Sequence, residues 1–263
     1  MQFTDILNSL HIVGDEYLVT VSEDWLQGRA TFGGLVAAVG NEAMRKLVPR
    51  ERPLRSLQTT FVGPATAGTW KLRARVLRVG KAVTLAQCEV LDGDQVAAVQ
   101  VGVYGMSRES AVLVKPRTVE PPRKVEDLSD MRFMPERGAP QFVQHFALRW
   151  AEGARPFTST RSPSKAFIRH RDPSPLTESH LVALVDCIPT PALSMFKAPA
   201  PGSSMVWVLE FFEHDLEFSP EAWWRIDSDI DAASGGYVNQ TGLLHDPNGR
   251  PVALSRQLFA VFG

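Results

Sequence analysis

The chain has 263 residues, with 28 lysines and arginines against 29 acidic residues and 44% hydrophobic side chains. This near-neutral balance offers no electrostatic footprint for nucleic acid or an anionic membrane, and no apolar run approaches the ~18 residues that span a bilayer. The N-terminus has no basic stretch ahead of an apolar core, so no signal peptide is expected, and the two cysteines, Cys88 and Cys187, make no disulfide framework; a cytoplasmic location is the expectation.

Residues 32–48 read as a helix, because Leu35, Val36, Val39, Ala43, Met44 and Leu47 recur at helical spacing and Pro49 stops them. Gly33, Gly34 and Gly40 lower its propensity. Glycines inside a helix make sense where neighbouring backbone must come close. Strands are expected at 54–62, 69–79, 83–91 and 95–104, separated by Gly63-Pro64, Gly68, Gly80-Lys81 and Asp92-Gly93-Asp94. The later turns are short, so these strands form antiparallel hairpins. The unit is read as one helix followed by a meander. Residues 106–140, with five prolines among charged residues, read as a long connection.

The layout then returns. Strands are expected at 142–150 and 166–170. A helix follows at 178–188, with Thr177 placed to cap it, Glu178 in its first turn and Pro189 beyond its end. Further strands are expected at 204–212, 223–231, 236–245 and 252–262. Residues 1–105 and 141–263 therefore form two like domains around the 106–140 connection. Short echoes support a duplication. Leu35-Val36-Ala37-Ala38-Val39-Gly40 returns as Leu181-Val182-Ala183-Leu184-Val185-Asp186, and Trp70-Lys71-Leu72 as Trp224-Arg225-Ile226. Asp92-Gly93 before Val96-Ala97 returns as Asn248-Gly249 before Val252-Ala253. The expected class is α+β, two central helices each wrapped by a curved antiparallel sheet, with the sheets joined to remove an edge.

The two copies differ chemically, because Asp186 stands where the first helix has Gly40. A carboxylate in the last turn of an apolar helix meets an unfavourable field, which raises its basicity and suits a general base. An exposed helix-edge aspartate is the alternative. Gln257, in the last strand, shares a face with Ser255 and Phe259 if Leu254, Arg256 and Leu258 share the other; its amide is suited to holding a water, although a surface glutamine is equally ordinary. Ser228 falls on an inward Ile226-Ser228-Ile230 face, with Asp227, Asp229 and Asp231 outward. No nucleophile elbow, phosphate loop, dinucleotide fingerprint or metal-ligand histidine spacing is present.

Four stretches carry a family resemblance: Thr31-Phe32-Gly33-Gly34-Leu35-Val36; Leu57-Gln58-Thr59-Thr60-Phe61-Val62-Gly63-Pro64; Ala166-Phe167-Ile168-Arg169 with the helix ending at Asp186; and 249–257, ending at Gln257. In this order they resemble bacterial acyl-CoA thioesterases of the thioesterase II type, which have a double hotdog fold. The resemblance implies hydrolysis of acyl-CoA to a free acid and CoA, by a water that an aspartate, a glutamine and a hydroxyl orient. Asp186 and Gln257 match by position. The third group is Asp229 by counting back from Gly236 and Ser228 by strand alternation. Backbone N–H groups near Gly33-Gly34, or near Thr177-Glu178, would hold the thioester oxygen. Gln58 stands where relatives carry histidine and is a further substrate contact. No cofactor or metal is implied, and assembly as a homo-oligomer is expected. The alternatives are a non-catalytic acyl-thioester binding module and a hotdog hydratase, which would need an Asp/His pair.

Overall fold

The computed structural model describes residues 1–214 and 217–262; Gly263, the last residue of the expected second domain, lies outside them. In chain order the first half contains α1 (Phe3–Ser9), β1 (His11–Val13), β2 (Glu16–Val21), a two-residue hairpin β3 (Leu26–Gln27) and β4 (Ala30–Thr31), and α2 (Gly33–Arg45). Strands β5 (Leu54–Phe61), β6 (Gly68–Val79), β7 (Val83–Asp92) and β8 (Gln95–Gly105) complete it. The second half contains β9 (Phe146–Glu152), β10 (Ser164–His170), α3 (Glu178–Asp186), β11 (Gly202–Phe211), β12 (Trp224–Ser234), β13 (Tyr237–His245) and β14 (Pro251–Val261). This is the double hotdog.

Twelve strands make one sheet in the order β1-β2-β6-β7-β8-β5-β11-β14-β13-β12-β10-β9. The order reads as a palindrome about the β5–β11 junction, where Trp207 pairs with Thr59 and Leu209 with Leu57. The duplicated tryptophans fall at matching places: Trp70 on β6 and Trp224 on β12 are both fully buried. Burying an aromatic of ~200 Å² at ~25 cal/mol per Å² contributes about 5 kcal/mol, so each half keeps one such anchor against its helix.

Two expectations need correction. The four strands of the first half are not a simple meander. β5 leaves α2 and lies beyond β8, not beside β6, because its other edge is needed to join the second half. The strand expected from residue 142 begins at Phe146; Gln141–His145 is a 3-10 turn after Pro140. That turn lets Phe142 stack on Phe32, with ring centroids 4.1 Å apart. The N-terminal segment, for which the sequence reading named no element, contributes to the core: Phe3, Ile6 and Leu7 of α1 are core residues, and Gly14, at φ 61°, makes the turn between β1 and β2.

The two long helices run antiparallel against each other. Arg45, at the C-terminal end of α2, bonds Glu178 at the start of α3 through Nε at 2.7 Å; each charge complements its own helix end. Asn41 donates to Ser179 Oγ at 3.0 Å. At the opposite end of the pair, the first turn of α2 meets Asp186, the last residue of α3.

Candidate active site

α3 is buried from Ser179 to Val185, and Asp186 at its end is part-open to solvent. A helix that turns its whole circumference into the core delivers its last side chain to the core's boundary. β14 supplies the second group. Its alternation places Leu254, Arg256 and Leu258 outward and Ser255 and Gln257 inward, as the pattern predicts. Gln257 Nε2 donates to Asp186 Oδ1 at 2.6 Å. The N–H of Gly34 also donates to this carboxylate.

Dense protein around the Asp186 carboxyl strips it of water and pushes its pKa up to about 7; the bonds from Gln257 and Gly34 pull the other way and moderate the rise. Beside it, the Cys187 thiol is pushed up by burial and by the Asp186 charge, which leaves it unreactive. The N-terminus of α2 points its partial positive charge at the carboxylate. Glycine is required at this approach. A Cβ on Gly33 would lie 3.0 Å from Asp186 Oδ2, and one on Gly34 would lie 3.0 Å from Asp186 Cβ and 2.5 Å from the Phe32 ring.

A chain of polar groups continues outward from this pair. Gln240 on β13, paired in register with Gln257, donates from Nε2 to Gln257 Oε1 at 2.8 Å. The Thr190 hydroxyl donates in turn to Gln240 Oε1. Neither residue was singled out in the sequence. The clue available was Gln240 at an inward position two residues from Val238, on the strand paired to β14.

The other candidates divide. Ser228 faces inward and is buried, as alternation predicts, but its register partner is Gly242, which pairs with Ser255. It therefore stands two strands, roughly 10 Å, across from the strand of Gln257, and neither Asp186 nor Gln257 bonds it. Asp229 is a correction: it lies on the outer face, where its Oδ1 accepts the N–H of Ile230 and faces Arg161 at 3.7 Å. Gln58 is another. It is exposed on the outer side of β5, so the sheet separates it from Asp186. Thr177-Glu178 lies at the far end of the helix pair, with Glu178 taken up by Arg45 and the N–H of Leu54. Among the described residues no imidazole bonds Asp186, whose partners are Gln257 and the N–H of Gly34. Among the described residues no cluster of His, Cys, Asp and Glu is arranged to hold a metal ion, and no helix is long and apolar enough to cross a membrane.

Along the inner face, one step past the Gln240–Gln257 pair, the sheet opens into an apolar cavity of about 270 Å³. Ala192, Met195, Phe196, Ala233, Val238 and Val261 line it. In register, Ala233 pairs with Val238 and Val238 with Phe259, which places this row next to that of Gln257.

Comparisons with known proteins agree with this architecture. Residues 21–105 match the family described as the acyl-CoA thioesterase N-terminal domain, and residues 125–261 match the acyl-CoA thioesterase C-terminal domain. Comparison with curated protein sequences returns no match. Among solved structures, a protein of unknown function with a hot dog fold from Alicyclobacillus acidocaldarius superposes with a TM-score of 0.87 at 20% identity, covering 99% of this chain and 98% of that one. An acyl-CoA thioesterase II, TesB2, from Mycobacterium marinum superposes at 0.77 with 16% identity, covering 99% and 98%. A tesB protein from Mycobacterium avium subs paratuberculosis gives 0.75 at 15% identity over 100% of both chains. At these identities the structural likeness speaks for the fold.

Proposed function

Because the chain belongs to the acyl-CoA thioesterase family, and is thus a thioester hydrolase, we propose that it hydrolyses acyl-CoA at Asp186, with Gln257 and the first turn of α2 positioning the reacting groups. The observation that carries this reading is the contact of a carboxylate of raised basicity with an amide N–H at a helix N-terminus. One N–H of Gln257 is engaged by Asp186, and its second is free to hold a water or the thioester oxygen. The N–H of Gly33 is not used within α2 and supports the same oxygen as negative charge develops.

Asp186 takes a proton from water as the water oxygen bonds the thioester carbon. The tetrahedral oxyanion then collapses, the C–S bond breaks, and the proton passes from Asp186 to the departing CoA sulfur. A thiol has a pKa of about 8.5, so transfer from a carboxyl near 7 runs downhill. Thiol release followed against pH tests this step. kcat/KM is expected to fall as pH drops through about 7, where Asp186 becomes protonated in the free enzyme. A profile flat from pH 5 to pH 8 would exclude Asp186 as the base.

The apolar cavity beside the pair supports an acyl tail as the remainder of the substrate. Ala233, on the rim, is exposed, so Ala233→Phe fills the mouth without disturbing the core. That variant is expected to shift the kcat/KM optimum toward shorter acyl-CoAs, measured over a chain-length panel; an unchanged optimum would place the tail elsewhere.

A further inference from the structure

Taking the catalytic reading of Asp186 as its basis, we propose that Gln240 and Thr190 are positioning residues that fix which end of the Gln257 amide faces Asp186. A glutamine side chain is nearly symmetric in shape, and its two ends differ only in charge and in hydrogen-bonding sense. Gln257 is almost fully buried, so the sense of its amide is decided by its hydrogen-bond partners. If its Oε1 turned toward Asp186, two acceptors would meet and the carboxylate would lose a donor.

The ionised carboxylate, which only accepts, selects the Nε2 end, and groups outside the pair hold the amide in that sense. The N–H of Ala192 donates to Thr190 Oγ1 at 3.3 Å, and the same hydroxyl donates to Gln240 Oε1. With Oε1 of Gln240 committed to Thr190, its Nε2 must face Gln257. Gln257 Oε1 accepts that bond, so Nε2 is the end presented to Asp186. Each link has one consistent sense: hydroxyl to amide, amide to amide, amide to carboxylate. Bonds in such a chain polarise and strengthen one another, so loss of its terminal group weakens the links that remain. Thr190 begins the turn whose residues Ala192 and Met195 wall the apolar cavity, so the anchor is held by the same loop that would meet the acyl tail.

The groups facing the Asp186 carboxyl are the Gln257 amide, the Gly34 N–H and the neighbouring Cys187 thiol; of these, changes at Thr190 or Gln240 reach only the amide, through its bond to Gln240. The test compares Gln240→Leu, Thr190→Val and Thr190→Ser in the full-length protein. It reads kcat and KM with a medium-chain acyl-CoA, and the titration of the Asp186 carboxyl by ¹³C NMR, its signal identified by Asp186→Asn. Gln240→Leu and Thr190→Val are expected to lose on the order of tenfold to a hundredfold in kcat, the usual effect of removing a group that orients an active one, with KM little changed. The Asp186 midpoint should move to higher pH in both, because a donor to its charged form is no longer held in place. Thr190→Ser, which keeps the hydroxyl, should behave as the parent. Parent-like kcat in both variants would overturn the proposal, and so would a loss of kcat with the Asp186 midpoint unmoved. Thr190→Val changes one atom type at a half-buried site, so it remains decisive if Gln240→Leu does not fold. Should Asp186→Asn itself turn over normally, the catalytic reading fails, and the carboxyl midpoint still decides whether Gln240 and Thr190 orient Gln257.

Discussion

Asp186→Asn is expected to lower kcat by about 10²- to 10⁴-fold, the range a general base contributes, with the fold intact. Asparagine has nearly the size of aspartate, and its Oδ1 still accepts from Gln257 Nε2, as Asp186 Oδ1 does. What it lacks is the ability to take a proton from water. The loss should therefore fall on kcat, with KM for the acyl-CoA close to the parent value, because no contact with substrate has been removed. Thiol release at pH 8, where the parent carboxylate is ionised, gives the largest contrast. Circular dichroism checks that the double hotdog is retained. Turnover within a factor of a few of the parent would remove Asp186 from the mechanism and with it the assignment of the site to this end of the helix pair.

The sequence made Asp186 legible through a contrast, one carboxylate in an otherwise repeated apolar helix, and the structure gives that contrast a physical basis. In the first half the equivalent region is closed. A Cβ on Gly40 would lie 2.0 Å from Gln100 Oε1, because the Gln100 side chain occupies the space and bonds the carbonyl of Val36. The next residue, Asn41, is engaged by Ser179 and Tyr104. A neutral, filled position in the middle of α2 corresponds to a charged, part-open one at the end of α3. The face carrying Gln257 was equally readable, since strand alternation is local and survives any pairing. Pairing itself is not local. Nothing within 54–62 says that β5 skips β6 to lie against β8, and nothing near Ser228 says that two strands separate it from Gln257. For the same reason Gln240 and Thr190 went unnoticed: their contacts are made across the sheet and across a loop, between residues far apart in sequence. Gln58 was read from a likeness in one strand, which fixes position along the chain and not the face.

The same substitution that removes turnover should make the protein more stable above neutral pH. The carboxyl of Asp186 has its pKa raised from 3.8 to about 7 by burial, so the fold prefers it protonated. For such a group the stabilising preference is fully present below the unfolded-state value and is lost as pH rises through the folded-state value. Near pH 4 the parent and Asp186→Asn carry the same neutral charge at this position, and their stabilities should nearly coincide. Between about pH 4 and 7 the unfolded chain ionises Asp186 freely and the folded chain resists it. Above 7 the folded parent carries the full cost, roughly 3 units at ~1.4 kcal/mol each, or about 4 kcal/mol as an upper limit, reduced by whatever solvent reaches the part-open carboxylate. Asparagine never ionises, so its advantage should open across this window and then level off. Urea unfolding of both proteins at pH 4.5 and pH 8.5 measures the difference directly, because groups common to both, such as the buried His170 and His180, cancel. An advantage of asparagine that is the same at both pH values would mean the carboxylate is well solvated in the native state. Its basicity would then have to be explained without burial. An advantage that grows with pH would identify the cost the fold bears to keep a base at the end of α3.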